Sequence, residues 1–364
     1  MAKGRQYFDS DDSGTERIRR SNADRVRKKD IRHRERIEKE PKKTDESLLR
    51  ARVIGSESAY YHLMTPEGET YKAKTIKSTT SENPNSTLVA VGDEVGIELG
   101  TEGGDNIIRT VYSRRTKLSR KAHKRKDIFE QVIAANVDRL LIISSSIEPQ
   151  FLSSVIDRYI VAGLEGELEI AIVVNKADLL VNDPRREFIL SALDHYSSLG
   201  YPSYLTSSES GEGIDKLRNS LEGKVSVLAG RSGVGKSSIV NKLMGDETAK
   251  IGVLTRKERR GAHTTTNSVM IPLAGSVNAF IIDTPGVREF FNHELDADNL
   301  KFHYAEFAPY QYECDMTNCT HTHEPGCAVY EAVEEGKIPG WRHNSYLMIY
   351  EEAVAERKKR DSGM

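Results

Sequence analysis

One segment restricts the fold more than any other: a glycine-rich stretch that ends in Lys-Ser and follows an apolar run at 225–229. The stretch reads Gly230-Arg231-Ser232-Gly233-Val234-Gly235-Lys236-Ser237, which fits the pattern G-x-x-x-x-G-K-[ST]. Residues 238–244, from Ser238 onward, have helical spacing. A strand, a glycine-rich loop and a helix in this order are typical of a phosphate-binding loop, because glycines let backbone N–H groups turn inward around phosphates. We expect Lys236 to reach the β- and γ-phosphates and the Ser237 hydroxyl to ligate Mg²⁺.

A second motif predicts which base is bound. Asn175-Lys176-Ala177-Asp178 follows an apolar run at 170–174, and ligands of open α/β sheets bind beyond the carboxyl ends of strands. The Asp178 carboxylate can accept from both N1–H and the 2-amino group of guanine, a donor pair that adenine lacks. Asn175 would orient the loop and meet the base edge, and the Lys176 stem would cover the ring. The backbone around Ser207 would meet the guanine oxygen. The pattern also fits an ordinary polar turn, and the neighbouring phosphate loop favours guanine binding.

The magnesium shell is predicted from two further stretches. Asp283-Thr284-Pro285-Gly286 follows the apolar run 279–282, so Asp283 can hold Mg²⁺ through a water and the Gly286 N–H can sense the γ-phosphate. Between this motif and the phosphate loop lies the threonine run 264–266. One of these threonines should complete the shell, and Thr265 is favoured. A threonine run of this kind also suits the start of a strand.

The residue that activates water is less well defined. Val287 stands where many GTPases place a water-orienting glutamine, and its side chain cannot orient water. His263 is the nearest candidate for a water-orienting group or weak base. The alternative is that His263 only packs or hydrogen-bonds within its loop. In either case a slow intrinsic rate and activation by a partner are expected.

The order of the motifs is unusual. The base motifs at 175 and 206 precede the phosphate loop, the threonine run and the 283–286 motif, whereas an ordinary GTPase has the base motifs last. The chain is therefore circularly permuted. The segment after 286 leads directly into the C-terminal part, so movement there should be transmitted to that part.

All three cysteines of the chain lie in one short stretch with two histidines. Cys314, Cys319, His321 and Cys327 form a Cys₃His set suited to structural Zn²⁺ with no open position. His323 is an alternative fourth ligand. An odd number of cysteines without an apolar leader argues against a disulfide framework and favours a cytoplasmic protein. Zinc should stabilise a small helical region with little core of its own.

The N-terminal third differs in composition. Residues 1–43 contain very few apolar residues, so this arm is expected to be disordered or transiently helical. The arm carries a net charge of +6 and the remainder −8, so the arm either meets an anionic partner such as nucleic acid or is a solvated tail. Five short β-like runs follow and fit a small barrel of the OB type; they lie at 51–54, 59–64, 71–77, 88–99 and 106–113. A run at 114–126 with eight Lys/Arg and no acidic residue is interpreted as a basic linker, which either touches RNA or only joins domains.

Taken together, residues 45–355 resemble the circularly permuted small ribosomal subunit biogenesis GTPases, the RsgA family. The resemblance rests on the barrel, the stretch 131–138, the four motifs at 175–178, 230–237, 261–266 and 283–286, and the Cys₃His set with Glu324-Pro325-Gly326-Cys327. It implies a GTP hydrolase that acts late in maturation of the 30S subunit, binds 16S rRNA through the barrel and zinc region, and is stimulated by the subunit. The resemblance also supports His263 as the catalytic residue. The basic arm is outside it.

The sequence thus predicts a multidomain protein with an OB-type β-barrel, a central permuted α/β P-loop GTPase domain and a C-terminal helical zinc-binding domain. The expected boundaries are 1–43 (arm), 44–115 (barrel), 116–128 (linker), 129–294 (GTPase) and 295–364 (zinc). We expect a monomer that does not bind membranes. The competing hypothesis is a GTP-gated RNA-binding scaffold in which hydrolysis is incidental; an ATP-driven enzyme is disfavoured by Asp178.

Overall fold

The computed structural model describes residues 47–57, 59–81, 86–101, 104–124, 127–245, 269–273, 279–283 and 295–362. The chain divides into Met1–Leu48 and Leu49–Met364, and all the strands and helices below belong to the second unit. The predictions for the arm 1–43, the loop 261–266 and residues 284–287 lie outside the described residues.

Five strands close a barrel at the start of the second unit: β1 (Leu49–Glu57), β2 (Tyr60–Met64), β3 (Thr70–Thr80), β4 (Glu94–Glu98) and β5 (Asn106–Val111). The pairing runs β1–β2–β3–β5–β4 and returns to β1, with only β3 and β5 parallel. Alternate side chains face inward, and Val53, Leu63, Ala73, Val95 and Ile108 are fully buried there. The five predicted runs correspond to these five strands.

A buried ion pair closes one side of the barrel. Asp93 is fully buried and accepts two bonds from Arg114, from Nε at 2.7 Å and from Nη2 at 2.8 Å. Arg114 also donates to the carbonyl of Thr87 at 2.8 Å. The first residue of the basic run is therefore a structural part of the barrel.

The segment predicted to be a linker forms a β-hairpin instead. Strand β6 (Lys117–Lys124) pairs antiparallel with β7 (Asp127–Ala135). The high charge of this segment gives no strand signal in the sequence. The strand is held by the backbone ladder, in which Lys121 lies opposite Glu130, and by the ion pair of Lys117 with Glu130 at 2.7 Å. Two bridges, Ser86 with Glu130 and Val91 with Ala134, attach the hairpin to the barrel.

The central sheet alternates strands and helices along the chain as expected. The elements are β8 (Arg139–Ser145), α1 (Ser153–Glu165), β9 (Glu169–Asn175), α2 (Arg186–Ser198), β10 (Ser203–Leu205), α3 (Ile214–Ser220), β11 (Val225–Ala229), α4 (Lys236–Met244), β12 (Val269–Pro272) and β13 (Phe280–Asp283). The strand order is β10-β9-β8-β11-β13-β12, parallel except for β12. One apolar core lies against α1 and α2, and another against α3 and α4. Helices therefore cover both faces, as buried parallel strands require.

The residues between the hairpin and the central sheet connect these parts to the barrel, beginning with Asn136. It has a left-handed backbone with φ 51° and donates from Nδ2 to the carbonyl of Gly92 at 3.1 Å. Its Oδ1 accepts the N–H of Arg115 at 2.9 Å. Two residues on, Asp138 accepts the N–H of Val225 at 2.8 Å. This part of the stretch 131–138 therefore has a structural role.

The C-terminal region, residues 295–362, is helical. It contains 3₁₀ turns at Leu300–His303 and Ala305–Phe307 and helices α5 (Ala328–Glu334) and α6 (Gly340–Asp361). Phe307, Tyr304, Tyr346 and Ile349 are buried in one cluster with Cys319 and Cys327. The expectation of little core was wrong, because aromatic residues spread along the region converge on one centre. Among the described helices, none is long and apolar enough to cross a membrane.

Candidate active site and metal centre

The predicted nucleotide motifs meet at one edge of the central sheet. Strands β8, β9, β10, β11 and β13 run parallel, so their carboxyl ends lie side by side. The phosphate loop follows β11, the 175–178 motif follows β9, and residues 206–208 follow β10. Asp283 is the last residue of β13. The permuted motifs therefore converge at the edge where open α/β sheets bind ligands.

Two glycines of the phosphate loop are required because neighbouring atoms approach them closely. Gly230 has φ 146°, and a Cβ at this position would lie 2.1 Å from the carbonyl oxygen of Ile143. Gly235 has φ 93°, and a Cβ there would lie 2.3 Å from Nδ2 of Asn175. Side chains at these positions would push the loop away from β8 and from the base motif. The loop conformation thus depends on glycine.

Lys236 is the first residue of helix α4. Its Nζ donates to the carbonyls of Gly230 and Arg231, both at 2.7 Å, so the ammonium lies across the loop that would hold phosphates. Ser237 and Ser238 follow in the first helical turn and are exposed. A helix N-terminus with these groups favours an anion.

Asn175 links the phosphate loop to both base motifs. Its side chain is fully buried; Nδ2 donates to the carbonyl of Val234 at 3.1 Å and to the Ser208 hydroxyl at 3.3 Å. Oδ1 accepts the N–H of Ser208 at 3.0 Å. The sequence suggested that Asn175 orients its loop, but not that it binds the phosphate loop.

Asp178 is exposed at the carboxyl edge. The Ser207 hydroxyl donates to its Oδ1 at 2.6 Å, and the N–H of Ala177 donates to the carbonyl of Thr206 at 2.9 Å. The two base motifs are therefore held together, and the carboxylate keeps lone pairs free for a base.

The loop after β8 also belongs to the site, and the sequence analysis missed it. Ser146 donates to the carbonyl of Lys176 at 2.7 Å, and Lys176 contacts the carbonyl of Glu148 through Nζ. Lys176 has a left-handed backbone with φ 64°. The signal was a run of three serines, residues 144–146, at the end of an apolar strand.

The remaining predicted residues are described only in part. The backbone of Asp283 ends β13 beside the phosphate-loop strand, with Ile282 level with Val227. The Asp283 side chain and the catalytic and magnesium candidates His263, Thr265 and Gly286 lie outside the described residues. Their roles stay predictions.

The four predicted zinc ligands come together in the C-terminal region. The Sγ atoms of Cys314, Cys319 and Cys327 and a ring nitrogen of His321 all lie within 4.8 Å of one another. Nδ1 of His321 is 3.6 Å from Sγ of Cys314 and 3.5 Å from Sγ of Cys327. His323 is outside this group, and its Nδ1 lies 2.7 Å from the Thr322 hydroxyl. Three sulfurs and one imidazole in this arrangement fit tetrahedral Zn²⁺.

Neighbouring groups hold this Cys₃His cluster in place. The Glu324 carboxylate accepts the N–H groups of Thr320 and Thr322 at 2.7 and 3.0 Å; burial opposes its ionisation, but these bonds keep its pKa below the usual range. Nε2 of His343 lies 2.8 Å from the His321 carbonyl. Burial lowers the pKa of His321 to about 4, so its imidazole is neutral at pH 7, the form that binds metals.

A P-loop sheet that carries its base motifs ahead of its phosphate loop defines a class: the circularly permuted GTPases. The sequence model of the RsgA GTPase family matches residues 111–292. Small ribosomal subunit biogenesis GTPase RsgA of Chlorobaculum parvum is 40% identical over 304 residues, covering 82% of this chain and 95% of that protein. The protein of the same name from Phocaeicola vulgatus is 32% identical over 315 residues, covering 84% and 97%. The chain belongs to the RsgA GTPase family.

Solved structures agree with this assignment. YjeQ from Thermotoga maritima is 30% identical and superposes with a TM-score of 0.65 over 84% of this chain and 98% of that one. YloQ, described as a circularly permuted GTPase, is 21% identical with a TM-score of 0.63, covering 86% and 98%, and shows the shared fold. Both matches cover most of this chain and almost all of the solved chain.

Proposed function

We propose that this protein hydrolyses GTP with Mg²⁺ as a maturation factor of the small ribosomal subunit, and that binding to the subunit and its rRNA stimulates hydrolysis. The observation that supports this most is the convergence of Lys236, Asn175 and Asp178 at one sheet edge. The choice of the small ribosomal subunit as the partner rests on the relatives that are named small ribosomal subunit biogenesis GTPase. An OB-type barrel, which fits the pairing order of β1–β5, commonly binds oligonucleotides.

Within this proposal the phosphates contact the N–H groups of residues 230–238, and Lys236 neutralises the charge between the β- and γ-phosphates. Ser237, Thr265 and Asp283 would hold Mg²⁺, which would stabilise charge on the phosphate oxygens. Gly286 contacts the γ-phosphate. His263 orients or deprotonates the attacking water, because Val287 has no polar group to do so.

Guanine specificity gives a direct prediction. Asp178→Asn should weaken GTP binding by about 10–100-fold, since two bonds from the base to a charged acceptor are worth roughly 1.5–3 kcal/mol each and the amide can replace one of them. The same variant should bind xanthosine triphosphate, because the amide N–H₂ can donate to the 2-oxo group. Calorimetric titration with each nucleotide measures both effects.

Asp194→Asn is the matched control, because Asp194 is an exposed aspartate on helix α2. It should bind GTP as the unaltered protein does. Unchanged GTP affinity in Asp178→Asn would contradict the assignment of the base site but not that of the phosphate loop.

We propose further that Cys314, Cys319, His321 and Cys327 hold one structural Zn²⁺. Their distances and burial support this set over one that includes His323. Four protein ligands leave no open position, so the metal would have a structural role. The C-terminal region would then be a zinc-binding helical domain.

The partner is tested by GTP turnover with and without purified 30S subunits. We expect stimulation by the subunit, and we expect His263→Ala to lower the stimulated rate by at least about 10²-fold, the usual size of a general acid–base contribution. His303→Ala, a histidine of the C-terminal region, is the control and should stay stimulated. Tight GTP-dependent binding to the subunit without stimulation would favour the scaffold hypothesis, which Val287 in place of glutamine keeps open.

A further inference from the structure

Arg342 of helix α6 is a fully buried charge at the boundary between the central sheet and the C-terminal region. Its exposed fraction is 1%, and it contacts Asp157 of helix α1 through Nη1. Nε and Nη2 donate to the two oxygens of Glu306 at 2.5 and 3.1 Å. The guanidinium also lies 4.4 Å from the ring centre of Tyr304. A planar, multiply bonded guanidinium has little freedom, so it fixes α1 against α6.

Helix α1 presents this face continuously to the C-terminal region. Val161, one turn after Asp157, is buried in the apolar core of that region with Ile349 and Ala353 of α6. Arg158 contacts Glu352 of α6. A displacement of α6 therefore displaces α1 with it.

The opposite face of α1 lies against the phosphate loop. Residues 157 and 159 point roughly 200° apart around a helix, and Tyr159 is buried in the core that covers the sheet. It lines a cavity of about 10 Å³ together with Arg231 and Val234 of the loop. Burial raises the pKa of the Tyr159 hydroxyl, and the backbone of Gly230 beside it acts in the opposite direction.

We propose that helix α1 couples the phosphate loop to helix α6, with Tyr159, Asp157 and Arg342 as positioning residues. Nucleotide bound at 230–237 shifts α1 through Tyr159, and the Arg342 contacts pass this shift to the C-terminal region. By linkage, a partner bound to the C-terminal region changes nucleotide affinity by the same factor. This route is separate from the chain connection that follows the 283–286 motif. The inference rests on the proposed nucleotide site.

The only tryptophan of the chain reports on this coupling. Trp341 precedes Arg342 and packs edge-on against Phe188 at 6.0 Å and Tyr196 at 5.5 Å between ring centres. Full-length protein is titrated to saturation with unlabelled GDP and with a non-hydrolysable GTP analogue in the presence of Mg²⁺. We expect each nucleotide to change the Trp341 emission.

Tyr159→Phe should still saturate in calorimetry but lose at least half of that emission change. Tyr346→Phe is the matched control: it also removes a buried hydroxyl, one that donates to the Thr320 carbonyl at 2.5 Å, yet it has no contact with the loop and should keep the change. The coupling would be overturned, but not the nucleotide site, if Trp341 emission did not change when nucleotide binds, or if Tyr159→Phe showed the same emission change as the unaltered protein. Failure of the unaltered protein to bind nucleotide would overturn both.

A second measurement works in the reverse direction. Arg342→Lys keeps the positive charge but removes the planar guanidinium that contacts Asp157 and Glu306 together. We expect GDP affinity to fall by at least about fivefold, the lower end of allosteric coupling. Arg139→Lys is the control, because Arg139 is also buried and also donates to a carboxylate, that of Glu169. Arg139 is the first residue of β8, so it lies at the amino ends of the strands, away from the phosphate loop. Combined with Tyr159→Phe, the Arg342→Lys effect should be less than additive. Additive effects, or equal losses in Arg139→Lys, would show that Arg342 acts only on general stability.

Discussion

Replacing Lys236 with alanine should lower GTP turnover by about 10²–10³-fold, the cost of removing one preorganised charge-stabilising group. Lys236 Nζ already lies across the phosphate loop, 2.7 Å from the carbonyls of Gly230 and Arg231, so little movement is needed to meet a β- or γ-phosphate oxygen. The charge that builds on those oxygens during transfer would lose its nearest cation. Single-turnover hydrolysis at saturating GTP separates this effect from weaker binding.

Lys242→Ala is the matched control, since Lys242 is an exposed lysine in the last turn of the same helix. Its turnover should match that of the unaltered protein. We also expect Lys236→Ala to abolish stimulation by 30S subunits, because the subunit can only act on a site whose phosphates are held. A Lys236→Ala variant with turnover within threefold of normal would contradict the assignment of this loop as the catalytic phosphate site.

The central sheet could be predicted from the sequence because its strands are buried on both faces. Such strands appear as short apolar runs, and the run at 225–229 is strand β11 to the residue. The helix predicted at 238–244 begins two residues earlier in the structure, at Lys236, and ends at Met244 as expected. The barrel strands were also visible as short β-like runs, although the run at 88–99 begins six residues before strand β4, which is Glu94–Glu98.

The hairpin and the interior bonds of the site could not be predicted in the same way. Half of the residues of strand β6 are Lys or Arg, so the sequence shows no apolar or alternating pattern there. The strand forms because its backbone pairs with β7, and the sequence did not identify that partner. The bonds from Asn175 to Val234 and from Arg342 to Asp157 join residues far apart in the chain. Motif spacing gives no information about such contacts, which depend on the order of strands in the sheet.

The choice between His321 and His323 also needed the structure. Both follow Cys319 closely, and both side chains have the chemistry of a zinc ligand. His321 has a left-handed backbone with φ 58°, which turns its ring toward the sulfurs, while His323 points outward and is exposed. The sequence of this stretch does not show which of the two histidines has a left-handed backbone.

Removal of one zinc ligand should destabilise the C-terminal region more than any other single change there. Cys319→Ser should release the metal and lower the melting temperature by roughly 10 °C. Loss of a structural metal belongs to the changes that cost about 4 kcal/mol or more, and each kcal/mol corresponds to roughly 2–4 °C in domains of about 150–250 residues. The apolar cluster around Phe307 and Tyr346 should keep α6 folded. Amide hydrogen exchange should therefore rise mainly at residues 314–327. Zinc content by atomic spectroscopy and exchange by mass spectrometry measure the two parts.

The two histidines provide the internal comparison for this experiment. His321→Ala should behave as Cys319→Ser does, because Nδ1 of His321 lies 3.5 Å from Sγ of Cys327 and completes the tetrahedron,. His323→Ala should keep one zinc per chain and a normal melting temperature, since its ring lies outside the ligand group. Zinc lost from His323→Ala but retained by His321→Ala would reverse the assignment of the fourth ligand. Full exchange protection in Cys319→Ser would mean that the apolar cluster alone stabilises the region, and that the thiols have another role.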